Sequence, residues 1–207
     1  MKNKHRIALA STLAVLAGCA GMAMQDDKYA EKTVAVLKSS FKENGQAKLD
    51  RLEQDEMQKT CTEYAGKPLP KEVAQRIESE QQKLVKLPAD GKLLGDWKNG
   101  EKIAQTGVGF QYSDDPKVPA GGNCYACHQL SKQELSYGTI GPSLYNFGKL
   151  RGFTPEMQKY AYSKVYNADA FSACSNMPRF GHKGILTEQQ LKDVVALLMD
   201  PESPVNK

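Results

Sequence analysis

The chain is short of the residues that build most metal and nucleophilic centres. Its 207 residues include only three histidines, five cysteines and one tryptophan. Structural zinc asks for four Cys or His ligands, and beside the one Cys-x-x-Cys at 124–127 no second Cys/His pair stands at suitable spacing. No Ser-His-Asp set, placeable carboxylate pair or phosphate-binding glycine loop is present, so no rival catalytic centre competes for attention. Sustained apolar/polar alternation is missing too, which argues against a sheet and with it the βαβ frame of a thioredoxin-like dithiol. There is no internal repeat and no low-complexity tract. An excess of one charge is also missing once the first residues are set aside. The formal net charge of +4 includes Lys2, Lys4 and Arg6, while all 24 acidic residues lie further on. Without those three, 25 basic residues face 24 acidic ones, a net charge near +1, and a nucleic-acid partner loses its electrostatic support.

The one long apolar run, Ile7 to Gly18, is too short for a membrane span. With its basic flank in front and small residues behind, it reads as an export signal over residues 1–18. It ends Leu16-Ala17-Gly18-Cys19, similar to the lipobox of bacterial lipoproteins, in which the cysteine is acylated and becomes the first mature residue. Acyl chains at Cys19 would hold the protein to a membrane surface in the periplasm, each buried methylene adding about 0.8 kcal/mol. Ordinary cleavage after Ala23, giving a soluble periplasmic protein, is the alternative.

Residues 25–90 read as a helical N-terminal extension without a site. Leu49, Leu52, Met57 and Cys61 fall near one helical face, as do Val73, Ile77 and Leu84, and Pro70 suits a first helical position. Leu87-Pro88-Ala89-Asp90-Gly91 is a turn-rich boundary. Beyond it, residues 92–207 form a second region. Asp96 is placed to cap a short helix containing Gly100, and residues 106–123 have loop composition. Thr154 and Pro155 open another helix. Thr187 and Gln190 form a capping box, Leu191, Val194, Val195 and Leu198 line one face, and Pro201 stops the last helix. The fold class expected is all-α.

Within the second region stands Cys124-Tyr125-Ala126-Cys127-His128. Two thiols at this spacing can form thioethers to the vinyl groups of a haem, and a histidine directly after the second lies under the iron. That register is the c-type haem attachment signature, and it implies one covalently bound haem c with His128 as proximal ligand. The iron then needs a sixth ligand. Met22 and Met24 lie near the leader, Met57 in the extension, and Met157 and Met199 in helical patterns. Met177 lies in the loop Cys174-Ser-Asn-Met-Pro-Arg-Phe-Gly181, 49 residues after His128, and is the favoured distal ligand. His182 competes, although glycine and lysine neighbours suggest an exposed side chain. Arg179 and Lys183 flank this loop, either to face an acidic partner or simply as solvated charges. Cys61 and Cys174 are the even remainder of the cysteines in an oxidising compartment, so a disulfide between them is expected. Buried free thiols, or Cys61 kept for a partner, are the alternatives.

Gly-Asp-Trp-Lys-Asn-Gly-Glu-Lys-Ile-Ala at 95–104, the Cys-Tyr-Ala-Cys-His run, Gly141-Pro-Ser-Leu144 and the capped last helix occur in the order seen in class I cytochromes c, which residues 92–200 resemble. The resemblance implies a haem domain in which Gly100 lets the first and last helices cross, and in which the carbonyl of Pro142 accepts the Nδ1–H of His128. The family runs quickly from the first helix to the first cysteine, and loop 106–123 departs from that pattern. Residues 122–206, with the Asn-Met-Pro-Arg-Phe-Gly loop, resemble the X subunits of the Sox sulfur-oxidation system, which include forms with an added N-terminal region.

That second resemblance implies the non-catalytic electron-transfer subunit of an L-cysteine S-thiosulfotransferase, inactive alone. Its partners would be a SoxA-like cytochrome subunit, a SoxYZ-type carrier whose cysteine receives thiosulfate, and a downstream cytochrome c as electron acceptor. Two other functions remain: a free-standing periplasmic carrier, and a ligand-binding or peroxidatic haem enzyme, which would need Met177 absent or displaceable.

Overall fold

The computed structural model describes residues 25–207; the leader, Cys19 and the cleavage site after Ala23 lie outside the described residues. The chain divides into two compact units, one running to Asn44 and including Lys48–Glu53, the other made of Gly45–Ala47 and Gln54–Lys207. The described part of the first contains helix α1 (Gln25–Ser40) and a 3-10 turn at Leu49–Leu52. Tyr29, Val36 and Phe41 are exposed in this unit. No described helix is long and apolar enough to cross a membrane.

The second unit holds α2 (Glu56–Glu63), α3 (Lys71–Lys83), α4 (Trp97–Gln105), α5 (Phe147–Arg151), α6 (Pro155–Tyr166) and α7 (Glu188–Met199). No strand occurs among the described residues, and the fold is all-α. Local chemistry sets most helix starts. Asp96 accepts from Lys98 N–H at 2.9 Å, Thr154 caps Met157 ahead of Pro155, and Thr187 and Gln190 cap each other reciprocally.

Four expectations shift. Leu49, Leu52, Met57 and Cys61 do not share one helix, because Asp55 forms a capping box with Gln58 and starts α2 afresh. Pro70 is the N-cap of α3, with Lys71 first in the helix. Ile77 is buried, but Leu84 falls past the helix end and is exposed. The last helix is buried all round from Leu191 to Met199, including Lys192 and Asp193, rather than along one apolar face. Both charges are compensated. Lys192 Nζ pairs with Glu188 at 2.9 Å and Asp90 at 3.2 Å, while Asp193 Oδ1 accepts from Asp96 N–H at 2.9 Å and Gln189 Nε2 at 2.8 Å.

The α4–α7 crossing organises the core. A β-carbon at Gly100 would collide with the backbone carbonyl of Asp193 and press on Leu197. Around the crossing pack Ile103, Ala104, Tyr125, Leu130, Tyr162, Val165 and Phe180, closed by Leu191, Val195, Leu198 and Met199. Each large apolar side chain buried this way stabilises by roughly 1.5–3 kcal/mol over an exposed one. The C-terminal segment seals one side, with Asn206 accepting from Gly148 N–H at 3.0 Å and donating to Leu198 O at 3.1 Å.

Loop 106–123 is held at both ends. Its base is closed by Gly122 N–H to Ile103 O at 2.8 Å and Asn123 N–H to Thr106 O at 3.0 Å. Its tip wraps Gln46, whose Nε2 donates to the carbonyls of Gly109, Gln111 and Asp114 at 2.8–3.1 Å. Gln190 on α7 fixes Ala120 O at 2.7 Å.

Candidate functional site

The Cys-Tyr-Ala-Cys-His run follows loop 106–123 and winds into a 3-10 turn at Cys124–Ala126. Asn123 enters it in the left-handed region, at φ 46°, a conformation that asparagine tolerates better than most residues. His128 N–H bonds back to Cys124 O at 2.9 Å, so the motif curls on itself and brings cysteine and imidazole close. Tyr125, between the cysteines, is buried and shares a hydrogen bond with Ser131 at 3.1 Å. That anchor turns the motif's one large side chain into the core.

Four cysteines are described, and the structure sorts them as two kinds. Cys61 and Cys174 are joined in a disulfide, whereas Cys124 and Cys127 stay unpaired although only two residues separate them. Burial pushes the Cys124 thiol up to about 12, the opposite of the depressed thiol of a redox dithiol.

His128 Nδ1 lies 2.7 Å from Pro142 O. A carbonyl oxygen can only accept, so Nδ1 carries a proton, and in the neutral ring the lone pair is on Nε2. Gly141 makes the approach possible, since a β-carbon there would fall on the imidazole ring. Two unpaired thiols, and an imidazole whose metal-binding nitrogen is left available, fit a covalently attached haem.

Met177 is half-buried and packs, as Cys124 does, against the core cluster. Its N–H donates to Ser175 Oγ at 3.1 Å, and Ser175 N–H donates to Asp169 Oδ1 at 2.9 Å. Asp169 is 2% exposed. Burial pushes its carboxyl up, opposed by the Ser175 N–H and by Arg179 and Lys164. Helix α3 supports the same segment, with Gln82 donating to Ala170 O at 2.9 Å and Glu78 accepting from Ala173 N–H at 3.2 Å.

The surroundings of the loop correct two expectations. Arg179 is neither a solvated charge nor a docking residue: it is 6% exposed and lies 2.7 Å from Asp55 and 3.9 Å from Asp169. Lys183 joins the same Asp55 at 3.0 Å. His182 is half-buried rather than exposed, and its N–H is tied to Tyr166 O at 3.0 Å; burial, followed by Arg179 and Lys183, lowers its basicity. Sequence reasoning missed Asp55, Asp169 and Ser175. The Asp55-x-x-Gln58 capping pattern was the one legible signal among them, and it marks a helix start, not a partner for Arg179.

Residues 99–200 match the cytochrome c family. Over its whole length the chain is 36% identical to an uncharacterized lipoprotein of Aquifex aeolicus (strain VF5), in an alignment of 214 residues that also spans all of that protein. It is similar as well to a chain in the crystal structure of SoxXA from P. pantotrophus, at 27% identity over 52% of this chain and 82% of that one, with a TM-score of 0.37. The chain belongs to one family with the Aquifex aeolicus protein and carries a cytochrome c domain, the kind of domain that binds haem c covalently.

Proposed function

We propose that the protein is a monohaem electron-transfer subunit, with Cys124 and Cys127 as thioether donors, His128 as proximal ligand and Met177 as distal ligand. The observation that carries this reading is the 2.7 Å bond from His128 Nδ1 to Pro142 O, which leaves Nε2 as the ring's available donor and fixes its orientation. Cycling between ferric and ferrous iron supplies one-electron chemistry. A Met177 thioether opposite His128 would leave no open ligand position and would raise the reduction potential, which suits electron transfer rather than ligand capture. Cys124, Tyr125 and the Gly141-Pro142 segment hold one side of the site rigid, and the Met177 loop supplies the other donor from a separate part of the chain.

The finer reading is the X-type subunit of a SoxAX-like complex, supported by the resemblance of residues 122–206 to that family. There a carrier thiol on SoxYZ and thiosulfate are joined through a new S–S bond, releasing one proton and two electrons. This subunit would pass the electrons singly to a downstream cytochrome c, while a SoxA-like partner performs the coupling. Cys19 would carry the lipid anchor on the periplasmic side of a membrane, in keeping with the lipobox and with a full-length relative described as a lipoprotein.

Copurification of the tagged protein from native membranes tests this. The expected result is a second haem subunit in the complex, and thiosulfate-dependent haem reduction that appears only when both subunits and the carrier are present. No partner, with normal reduction by small donors, would favour a free-standing carrier. Turnover by the isolated chain would move the active site here.

A further inference from the structure

Helix α2 meets the Met177 loop at two places, one on each side of the methionine. Near its end, Cys61 is bonded to Cys174, three residues before Met177. At its start, Asp55 takes Arg179 Nη2 at 2.7 Å, two residues after Met177, and Lys183 Nζ at 3.0 Å. Asp55 divides these tasks between its oxygens. Oδ1 accepts from Gln58 N–H at 3.0 Å and caps the helix, while Oδ2 receives both cations. Arg179 is buried, and its far side faces Asp169, which holds Ser175 N–H, whose hydroxyl in turn holds Met177 N–H.

The loop cannot shift without a cost at each end. On one side a covalent bond must stretch the chain of α2 along with it. On the other, a guanidinium 6% exposed would lose the nearer of its two carboxylates, keeping only Asp169 at 3.9 Å, and a buried charge is far less stable without a close partner. Between those fixed points only Ser175, Asn176, Met177 and Pro178 are left to move, and Met177 N–H is itself bonded.

We propose that α2 is a two-point clamp that keeps the Met177 thioether on the iron, with Asp55 as a positioning residue acting through Arg179 and the Cys61–Cys174 bond acting in parallel. This rests on the Met177 ligation reading. Helix α2, which carries no ligand of its own, is thereby part of the loop's support. Either anchor alone holds the loop in part, so the effect of losing one is largest when the other is already gone.

Asp55→Asn isolates the ionic anchor, because asparagine caps a helix as well as aspartate does; with its oxygen kept on the Gln58 N–H, its amide nitrogen replaces the Oδ2 acceptor, so the charge and both bonds from Arg179 and Lys183 are lost together. The measurement is carbon monoxide binding to the ferrous holoprotein, which requires the thioether to leave. In a Cys61→Ser/Cys174→Ser background, Asp55→Asn is expected to speed that binding about ten-fold, the equivalent of one charge-assisted hydrogen bond. Equal rates with and without the Asp55 charge in that background overturn the clamp; a merely structural role would lower the urea midpoint alone. Should the disulfide-free chain fail to mature, the bridge is kept and two melting curves are compared. Asp55→Asn should then lose the near-infrared sulfur-to-iron band at a lower temperature than its helical circular dichroism, and coincident loss overturns the proposal. Absence of that band from the unaltered oxidised protein would sink the ligation reading and the clamp with it. Its presence with unchanged kinetics sinks the clamp alone.

Discussion

Gly100 on α4 faces the backbone carbonyl of Asp193 on α7 so closely that no side chain fits between them. In an exposed helix, Gly→Ala would stabilise by up to about 1 kcal/mol. Here the overlap involves backbone on both sides, and overpacking of that kind costs about 1–3 kcal/mol. Gly100→Ala is therefore expected to lower stability, read as a lower urea midpoint with the slope unchanged. A gain in stability would mean that the helices can separate freely at this crossing.

The ligation assignment separates Met177 from His182. Met177→Ala should leave haem covalently attached, because Cys124 and Cys127 remain, but abolish the near-infrared band and open the ferrous iron to carbon monoxide. His182→Ala should do neither, since that residue is half-buried with its backbone tied to Tyr166. The reverse pattern would transfer the sixth position to His182.

What could be read in the sequence follows from how local each determinant is. The caps at Asp96, Thr154 and Thr187 act within three residues, and the Cys-x-x-Cys-His register is contiguous, so all were legible. Gly100 was legible as a mid-helix glycine that lets another helix cross closely, but which helix crosses came only through resemblance, because its crowding comes from Asp193, far along the chain. Burial of Lys192 and Asp193 could not be read from a helical wheel, since beside Glu188 and Gln189 on the same helix each has a partner, Asp90 or Asp96, that lies before α4. The path of loop 106–123 is set by Gln46, more than sixty residues from the carbonyls it binds. The pairing of Arg179 with Asp55 spans 124 positions, and no local pattern announces it.

The Cys61–Cys174 bridge closes a separation of 113 residues, which in the chain-entropy account contributes at most about 5 kcal/mol. Alkylation of the denatured, unreduced holoprotein should label neither cysteine, and reduction should then expose both. Cys61→Ser should destabilise by about 2–4 kcal/mol in urea. Full labelling before reduction would remove the bridge from the native protein.

Location turns on Cys19. Cys19→Ala should move the protein from the membrane fraction to the soluble periplasmic fraction without altering its haem spectrum, because acylation would be the attachment. A native N-terminus at Met24 would exclude lipidation and favour cleavage after Ala23.

Acid should weaken the anchor at Asp55. Burial alone would raise this carboxyl, but the Gln58 N–H, Arg179 and Lys183 outweigh it and hold it down at about 2, against an ordinary value of 3.8. A depressed folded-state value stabilises the fold above the unfolded value and is lost as pH falls through the folded one. The window therefore runs from pH 3.8 down to about 2. The side chain is 34% exposed, so solvent screening reduces the contribution to about 1 kcal/mol. Urea midpoints measured across this window should fall more steeply for the unaltered protein than for Asp55→Asn, and the two should converge near pH 2. A difference between them that stays constant down to that pH would show that the Asp55 charge does not stabilise the folded state.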